Sequence, residues 1–505
     1  MSENAPYDVL LLGSGLGSLV AAALLARAGQ RVLVLEKNKQ IGGCLQSFGV
    51  GGRRFESAVH YVGSLGQGQT LDTLFRYLGF ADELHLNRLD ADGFDHIVLG
   101  GETFTLAQGY EAFIANLARR FPVEEQGLRA FCAEMQRVCL AFPLYNMRLG
   151  SLDEKRAVSG IGLKEVLETH IADPLLRQVL AGNNMLYAGQ YAKTPFYLYA
   201  LIQNSYIESS WKFGKGSAQV ARLLQDLIRA HGGEVKRNAE VVRLHEEGGL
   251  IRHAEDREGN RYEARHVISG LHPQVTYQLL DSALIRPVTR RRLEQTPQTR
   301  SGYMFNIALR PGAVPYRNHN LYLHREPDVW YDHDQDPGLS PSALAVFFYE
   351  DEQHPGYASA LSVLCAMDPA VFEPWNQTRR TTTYREGRGA DYEALKDRIN
   401  GDILSRLEEA LPGVRAAITH TDACSPLSYR DYLSTPGGSL YGVRKDVNDL
   451  ANTTYGTRTR IGNLYLTGQN INLHGVLGVC ITGILTAGDI VGLEELVGAI
   501  QRSRG

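Results

Sequence analysis

Apolar residues in this chain follow two rhythms, and their order predicts the fold. Residues 8–12 (DVLLL) and 31–35 (RVLVL) are short apolar runs of strand length. Between them, residues 19–28 are rich in Ala and Leu, as a buried helix would be, and Gly29 stands where such a helix stops. The string Gly13-Ser14-Gly15-Leu16-Gly17-Ser18 joins the first strand to the helix. The opening segment is therefore a βαβ unit with a glycine turn at the first crossing.

Helical periodicity then dominates residues 106–190, with amphipathic stretches at 111–120, 125–140 and 163–181 that predict an inserted helical lobe. Residues 195–202 (PFYLYALI) form a compact apolar stretch that fits either a buried helix or a face turned to lipid or a greasy substrate. The string Phe213-Gly214-Lys215-Gly216-Ser217 opens a helix through Arg229, and residues 234–244 carry a strand-pair signal. Because its lysine precedes the glycine, this GKGS string is not a phosphate-binding P-loop. Residues 266–270 (HVISG) return the chain to the nucleotide sheet. Residues 306–310, 343–348 and 361–367 have strand character, 392–411 is an amphipathic helix stopped by Pro412-Gly413, 463–467 is a last strand, and 475–491 a Gly/Ala-rich helix.

These elements predict an α/β protein. A discontinuous Rossmann-like, FAD-binding domain is expected from residues 1–105, 213–275 and 450–505. A substrate domain combining a mixed sheet with the helical lobe is expected from 106–212 and 276–449. A chain of 505 residues has ample material for two cores.

Charge and cysteine content narrow the function further. Lys plus Arg number 52 against 56 Asp plus Glu, for a net charge of -4, and no basic block interleaved with aromatics suggests nucleic acid. The six cysteines lie outside any CxxC or Cys/His ligand spacing, so no metal site is expected and a reducing, cytoplasmic setting is. Residues 332–336 (DHDQD) lack the glycine and distal glutamate of a calcium loop and predict a solvated acidic loop. No apolar run approaches the length of a membrane span, which leaves peripheral attachment to a membrane as the one membrane contact to consider.

The glycine turn carries the chemistry. A pyrophosphate held against the amides of a helix N-terminus needs backbone where side chains would block it, which Gly13 and Gly15 provide. The third position of the GxGxxG pattern is Ser18, a substitution expected to cost closeness of helix–strand packing and not binding. Glu36, at the end of the second strand, suits the two ribose hydroxyls of FAD or NAD and repels a 2′-phosphate. Gly42-Gly43 follow, close to the same site in sequence.

Beyond these motifs the chain resembles a known family. VLVLEKNKQIGGC and FESAVHYVG near the start, HVISG, RGADYEALKD, SPLSYRDYLSTPGGSLYG and NLYLTGQNINLHGVLGV resemble the FAD-dependent phytoene desaturase and carotenoid isomerase superfamily, in its retinol saturase branch. The resemblance implies an amine oxidase-like, two-domain architecture, FAD as prosthetic group, and a hydrophobic polyene or isoprenoid substrate. It places flavin contacts at Gly13, Gly15, Ser18, Glu36, Gly43, Val241, Gly468 and Gln469. It further implies saturation of a carbon–carbon double bond, in which a hydride from reduced flavin is matched by a proton from a pocket acid.

His60, Tyr61 and Tyr441 lie in the shared HYVG and YG strings and are the candidate acids; His474 is a further pocket residue outside the shared pattern. Desaturation or cis-trans isomerisation on the same scaffold is the alternative reaction, followed by amine oxidation and non-enzymatic prenyl binding. With no second glycine fingerprint, the electrons are expected from NAD(P)H visiting the substrate side as a transient reductant, or from a separate electron donor.

Overall fold

The structure, a computed structural model, describes residues 7–330 and 340–503. Its nucleotide-type layer is a parallel sheet of five strands in the order Glu234–Lys236, Val32–Leu35, Tyr7–Leu12, Ala264–Ser269 and Leu464–Leu466. The two N-terminal strands are buried along almost their whole length, which is why they are continuous apolar runs. Helix Leu16–Arg27 crosses between them and exposes only Arg27, because helices Ala218–Ala230 and Gly475–Val491 pack beside it. Its alanines and the glycines of the last helix permit that closeness: a Cβ on Gly483 would lie 3.0 Å from the Gly17 carbonyl oxygen. Gly29 ends the crossing helix in the left-handed region, at φ +82°.

The second layer is a seven-stranded sheet in the order Ile418–Cys424, Ser301–Leu309, Ala358–Met367, Ala343–Glu350, Asn320–His324, Asp95–Leu99 and Glu102–Leu106. It is antiparallel apart from the pairing of Asn320–His324 with Asp95–Leu99. All nine residues of Ser301–Leu309 are buried, since helix Gly389–Ala410 contributes Tyr392, Ile399, Ile403 and Leu407 to the core that this sheet shares. The helical lobe contains Tyr110–Ala118, Glu125–Leu140, Leu163–His170, Pro174–Leu180 and Phe196–Glu208. Among the described residues, no helix is long and apolar enough to cross a membrane.

Several local expectations change. Strands Asp95–Leu99 and Glu102–Leu106, grouped by sequence with the cofactor segment 1–105, form a hairpin at the edge of the mixed sheet, joined to it through Asn320–His324. The helix expected over 163–181 is two helices, because Asp173 caps the second with Oδ1 bonds from the Leu175 and Leu176 amides (2.8 and 3.1 Å) and Pro174 starts it. Residues 234–244 divide between two sheets instead of pairing: Val241–Glu247 lies in a small antiparallel sheet with Leu250–Asp256. Residues 195–202 are buried, so the lipid-facing alternative for that stretch falls away. The acidic stretch 332–336 lies outside the described residues.

Candidate active site

A cavity of about 440 Å³ runs from the glycine turn to the start of the last long helix. At its first end Gly13 sits at φ +81° and Gly15 precedes helix Leu16–Arg27. A Cβ on Gly15 would meet nothing within 4 Å, so the helix N-terminus opens directly onto the cavity. Glu36, 5 % exposed, is already held there: its Oε2 accepts the Ser14 amide at 2.9 Å and the Ser14 hydroxyl at 2.6 Å, and its Oε1 accepts the Asn38 amide at 2.8 Å. Ser18 lines the cavity as well, but its hydroxyl has no hydrogen-bond partner among the described residues. It rests against Gly270, where any Cβ would overlap its Oγ. Close helix–strand contact passes to Gly17 instead, whose added Cβ would lie 3.0 Å from the Gly468 backbone.

The remaining walls come from distant segments. Gly43, at φ +55°, packs on Gly15, and Gly42 forms a parallel bridge with Gly15. Val241 lines the cavity between Glu240 and Val242 on the side near Glu36. At the far end Gly468 (φ +97°), Gln469 and Asn470 form a turn, and the Gln469 and Asn470 amides donate to no acceptor among the described residues. Helix Gly475–Val491 begins six residues beyond Gln469, later than a direct strand-to-helix junction, yet its first residues still line the cavity. Apolar and aromatic side chains complete this end: Met304, Leu364, Tyr429, Leu440, Tyr441 and Val476. Ionised side chains on the lining, Glu36, Lys37 and Glu240, cluster at the other end.

The three candidate acids are not brought together. Tyr441 lines the cavity, stacks on His474 with ring centroids 4.2 Å apart, and donates its hydroxyl to the Met185 carbonyl at 2.9 Å. Burial pushes its pKa up, so the phenol stays protonated. His60 and Tyr61 stand behind the wall formed by Ala58 and Val59. The His60 ring stacks on Phe347 at 4.1 Å, its Nδ1 lies 3.3 Å from the Tyr349 hydroxyl, and burial pushes its pKa down to about 3, which keeps it neutral. Tyr61 donates to Asp95 at 2.9 Å and shares a 2.7 Å bond with Tyr322 inside a buried polar cluster completed by Asn183 and Asn320. His474, neutral with its pKa lowered to about 4 by burial, contacts the Leu186 carbonyl at 3.0 Å.

Two charged groups at the site were not singled out by sequence. Asp431, in the short helix Pro426–Leu433, binds Arg388 in a fully buried pair at 2.5 Å, and its carbonyl accepts Lys37 Nζ at 3.0 Å. On a helical pattern the RD step reads as a solvated face, and only the shared SPLSYRDYL string marked it. Lys445, 7 % exposed, lies behind Asn470. Its surroundings in sequence, VRKDVND, look like an ordinary charged turn.

The cavity therefore presents an open helix N-terminus, a preset acceptor pair at Glu36, and unsatisfied amides with an apolar wall at the opposite end. That donor set fits a dinucleotide lying along it, with a planar apolar ring system at the far end. The comparisons agree. A sequence model described as flavin containing amine oxidoreductase matches residues 19–491. The chain is 27% identical to the all-trans-retinol 13,14-reductase of Rattus norvegicus, over 96% of this chain and 85% of the relative. It is 24% identical to the chloroplastic prolycopene isomerase of Daucus carota, over 98% of this chain and 82% of the relative. Among solved structures, an oxidoreductase from Methanosarcina mazei superposes with a TM-score of 0.64 at 15% identity, covering 94% of this chain and 99% of that one.

Proposed function

The chain belongs to the flavin-containing amine oxidoreductase family, and on that premise we propose that it is an FAD-dependent enzyme that saturates one double bond of a conjugated, retinoid-like polyene. The observation that carries this reading is the uncharged far end of the cavity. A protonated amine is best held by a carboxylate, and among the described residues none lines this end of the cavity. Here Met304, Leu364, Leu440 and Val476 offer apolar surface, which suits an extended hydrocarbon. The retinol 13,14-reductase name of the rat relative supports the substrate class.

Each end of the cavity has its task. Glu36 would accept the ribose hydroxyls, and the amides beyond Gly15 would hold the pyrophosphate. Bound there, reduced FAD supplies a hydride equivalent. The matching proton is assigned to Tyr441, which alone of the three candidate acids lines the cavity; its hydroxyl, bonded to the Met185 carbonyl, would have to turn from that carbonyl to the substrate carbon. Electrons are drawn from NAD(P)H on the substrate side or from a separate reductase.

The test is anaerobic. Photoreduced protein is mixed with all-trans-retinol or with a C40 carotene, and the products are weighed by mass spectrometry. A product heavier by two hydrogens, with reoxidised flavin, supports saturation. A product lighter by two hydrogens from the oxidised protein overturns it in favour of desaturation. Unchanged mass with altered double-bond geometry gives the isomerase reading, which the carrot relative supports. In a separate aerobic assay of the oxidised protein, hydrogen peroxide formed with small amines overturns the polyene reading altogether.

A further inference from the structure

We propose that Lys445 is the counter-charge for the reduced cofactor: set one residue behind the cavity wall, its ammonium stabilises the negative charge that two-electron reduction leaves at the flavin's pyrimidine edge. The inference rests on the flavin reading above and goes beyond it by assigning a residue that does not touch the cavity.

Lys445 is 7 % exposed, and its Nζ donates to two carbonyls, of Thr453 at 2.8 Å and of Asn470 at 3.2 Å. No carboxylate pairs with it among the described residues. The adjacent Asp446 is turned to its own backbone, its Oδ1 accepting the Asn448 amide at 2.9 Å. Burial without an opposing acid lowers the Lys445 pKa to about 8, so the group remains cationic at neutral pH. Burying a charge without a counter-ion is costly, and the two carbonyls relieve that cost only in part, leaving a positive potential that a bound anion would balance.

The position of this charge shows what balances it. Asn470 belongs to the Gly468–Gln469–Asn470 turn that closes the far end of the cavity, so the ammonium is separated from the cavity by a single peptide. Among the described residues at this end, His474 is held neutral by burial and Tyr441 is protonated. Helix Gly475–Val491 points its N-terminus at the same end, and its partial positive charge adds to that of Lys445. Lys37, a cation on the lining, is at the Glu36 end, where it bonds the Asp431 carbonyl and the Ser434 hydroxyl. This end therefore carries one uncompensated positive charge before reduction, and an anion formed on reduction would balance it.

The experiment uses the flavin-bearing protein and three substitutions. Lys445→Arg keeps the charge, Lys445→Gln keeps a hydrogen-bond donor without charge, and Lys445→Met removes both. Each is equilibrated anaerobically with a reference dye under slow reduction, and flavin and dye are read from their visible spectra. The expected result is wild-type behaviour for Lys445→Arg and a shift of the flavin/dye equilibrium against reduction by tenfold or more for Lys445→Gln, about 30 mV for a two-electron couple. A merely structural role predicts the opposite grouping, with Gln close to wild type because it still donates to a carbonyl. Should Lys445→Gln fold poorly, the Lys445→Met and Lys445→Arg pair carries the same comparison. A flavin-bearing neutral variant with the wild-type equilibrium overturns this inference alone. Wild-type protein that releases no flavin on denaturation overturns the cofactor reading and, with it, the inference.

Discussion

Replacing Asp431 by Asn should loosen the segment that covers the cofactor cavity. The carboxylate is 1 % exposed; Oδ2 accepts Arg388 Nη2 at 2.5 Å and the Arg380 amide at 2.8 Å, while Oδ1 accepts Arg430 Nε at 2.8 Å. Its main-chain carbonyl takes Lys37 Nζ, and the next carbonyl, of Tyr432, takes Asn38 Nδ2 at 3.3 Å. The charge therefore fixes the turn that closes over the Glu36 end. Neutralising it strands Arg388, whose side chain is 2 % exposed, and breaking a buried pair from one side costs about 3–5 kcal/mol. Asn retains the size and part of the hydrogen bonding, so about 3 kcal/mol is expected, against a total stability of roughly 5–15 kcal/mol. Urea denaturation and the rate of flavin release into an ultrafiltrate measure the two consequences, an earlier midpoint and faster loss. The Asp431→Leu, Arg388→Met double variant should recover the part of the loss due to the stranded Arg388, and not the part due to the acceptor lost by the Arg380 amide and Arg430. If Asp431→Asn lies within about 0.5 kcal/mol of wild type and keeps its flavin, the surface range of a point mutation, the buried charge does not hold this turn.

Three further outcomes are expected. Glu36→Ala removes the acceptor of three hydrogen bonds and the ribose contact, so flavin per protein after gel filtration should fall well below wild type, and equal content would refute the assignment. Tyr441→Phe keeps the stack on His474 yet should slow reoxidation of the photoreduced protein by substrate about a hundredfold or more; an unchanged rate would leave the hydroxyl only its bond to the Met185 carbonyl. His60 stays neutral in the fold down to about pH 3, whereas an unfolded histidine takes up a proton below roughly pH 6.5. The unfolded chain thus binds more protons between those values, so stability falls as pH falls, by about 1.4 kcal/mol per unit from this group. His60→Gln should flatten the loss of denaturation midpoint between pH 7 and pH 5, and parallel slopes for variant and wild type would count against the buried neutral state.

The cofactor half of the fold was legible because its signals are local. The strands Tyr7–Leu12 and Val32–Leu35, the glycine turn and Glu36 all follow from runs and spacings within one stretch of chain. Helices Glu125–Leu140 and Gly475–Val491 coincide with the expected stretches for the same reason. The mixed sheet was only partly legible. Asp95–Leu99 is an alternating strand whose partner, Asn320–His324, is more than two hundred residues away, and no local period reports which sheet a strand joins. The site shows the same limit. His60 and Tyr61 occupy a shared string but stand behind Val59, because the HYVG stretch passes the cavity with Ala58 and Val59 on its wall. A motif fixes where backbone runs, while the face each side chain takes depends on neighbours such as Phe347 and Asp95. Lys445 and Asp431 escaped attention because charge reads as solvent-facing until burial is known.

Ser18 shows how a departure from a motif is absorbed. In the usual fingerprint the third glycine lets the helix approach the strand; here that approach is shared by Gly17 against Gly468, Gly270 against Ser18, and Gly483 against the Gly17 carbonyl. The expected loss of closeness is therefore made up at three positions that sequence spacing does not connect. What the substitution leaves is a hydroxyl on the cavity lining with no partner among the described residues, beside a helix N-terminus. An unpaired buried hydroxyl costs on the order of 1–3 kcal/mol, and that cost disappears if a phosphate oxygen of the dinucleotide accepts from it. With such a contact the serine would exchange a packing role for a binding one, making the filled turn more stable relative to the empty one.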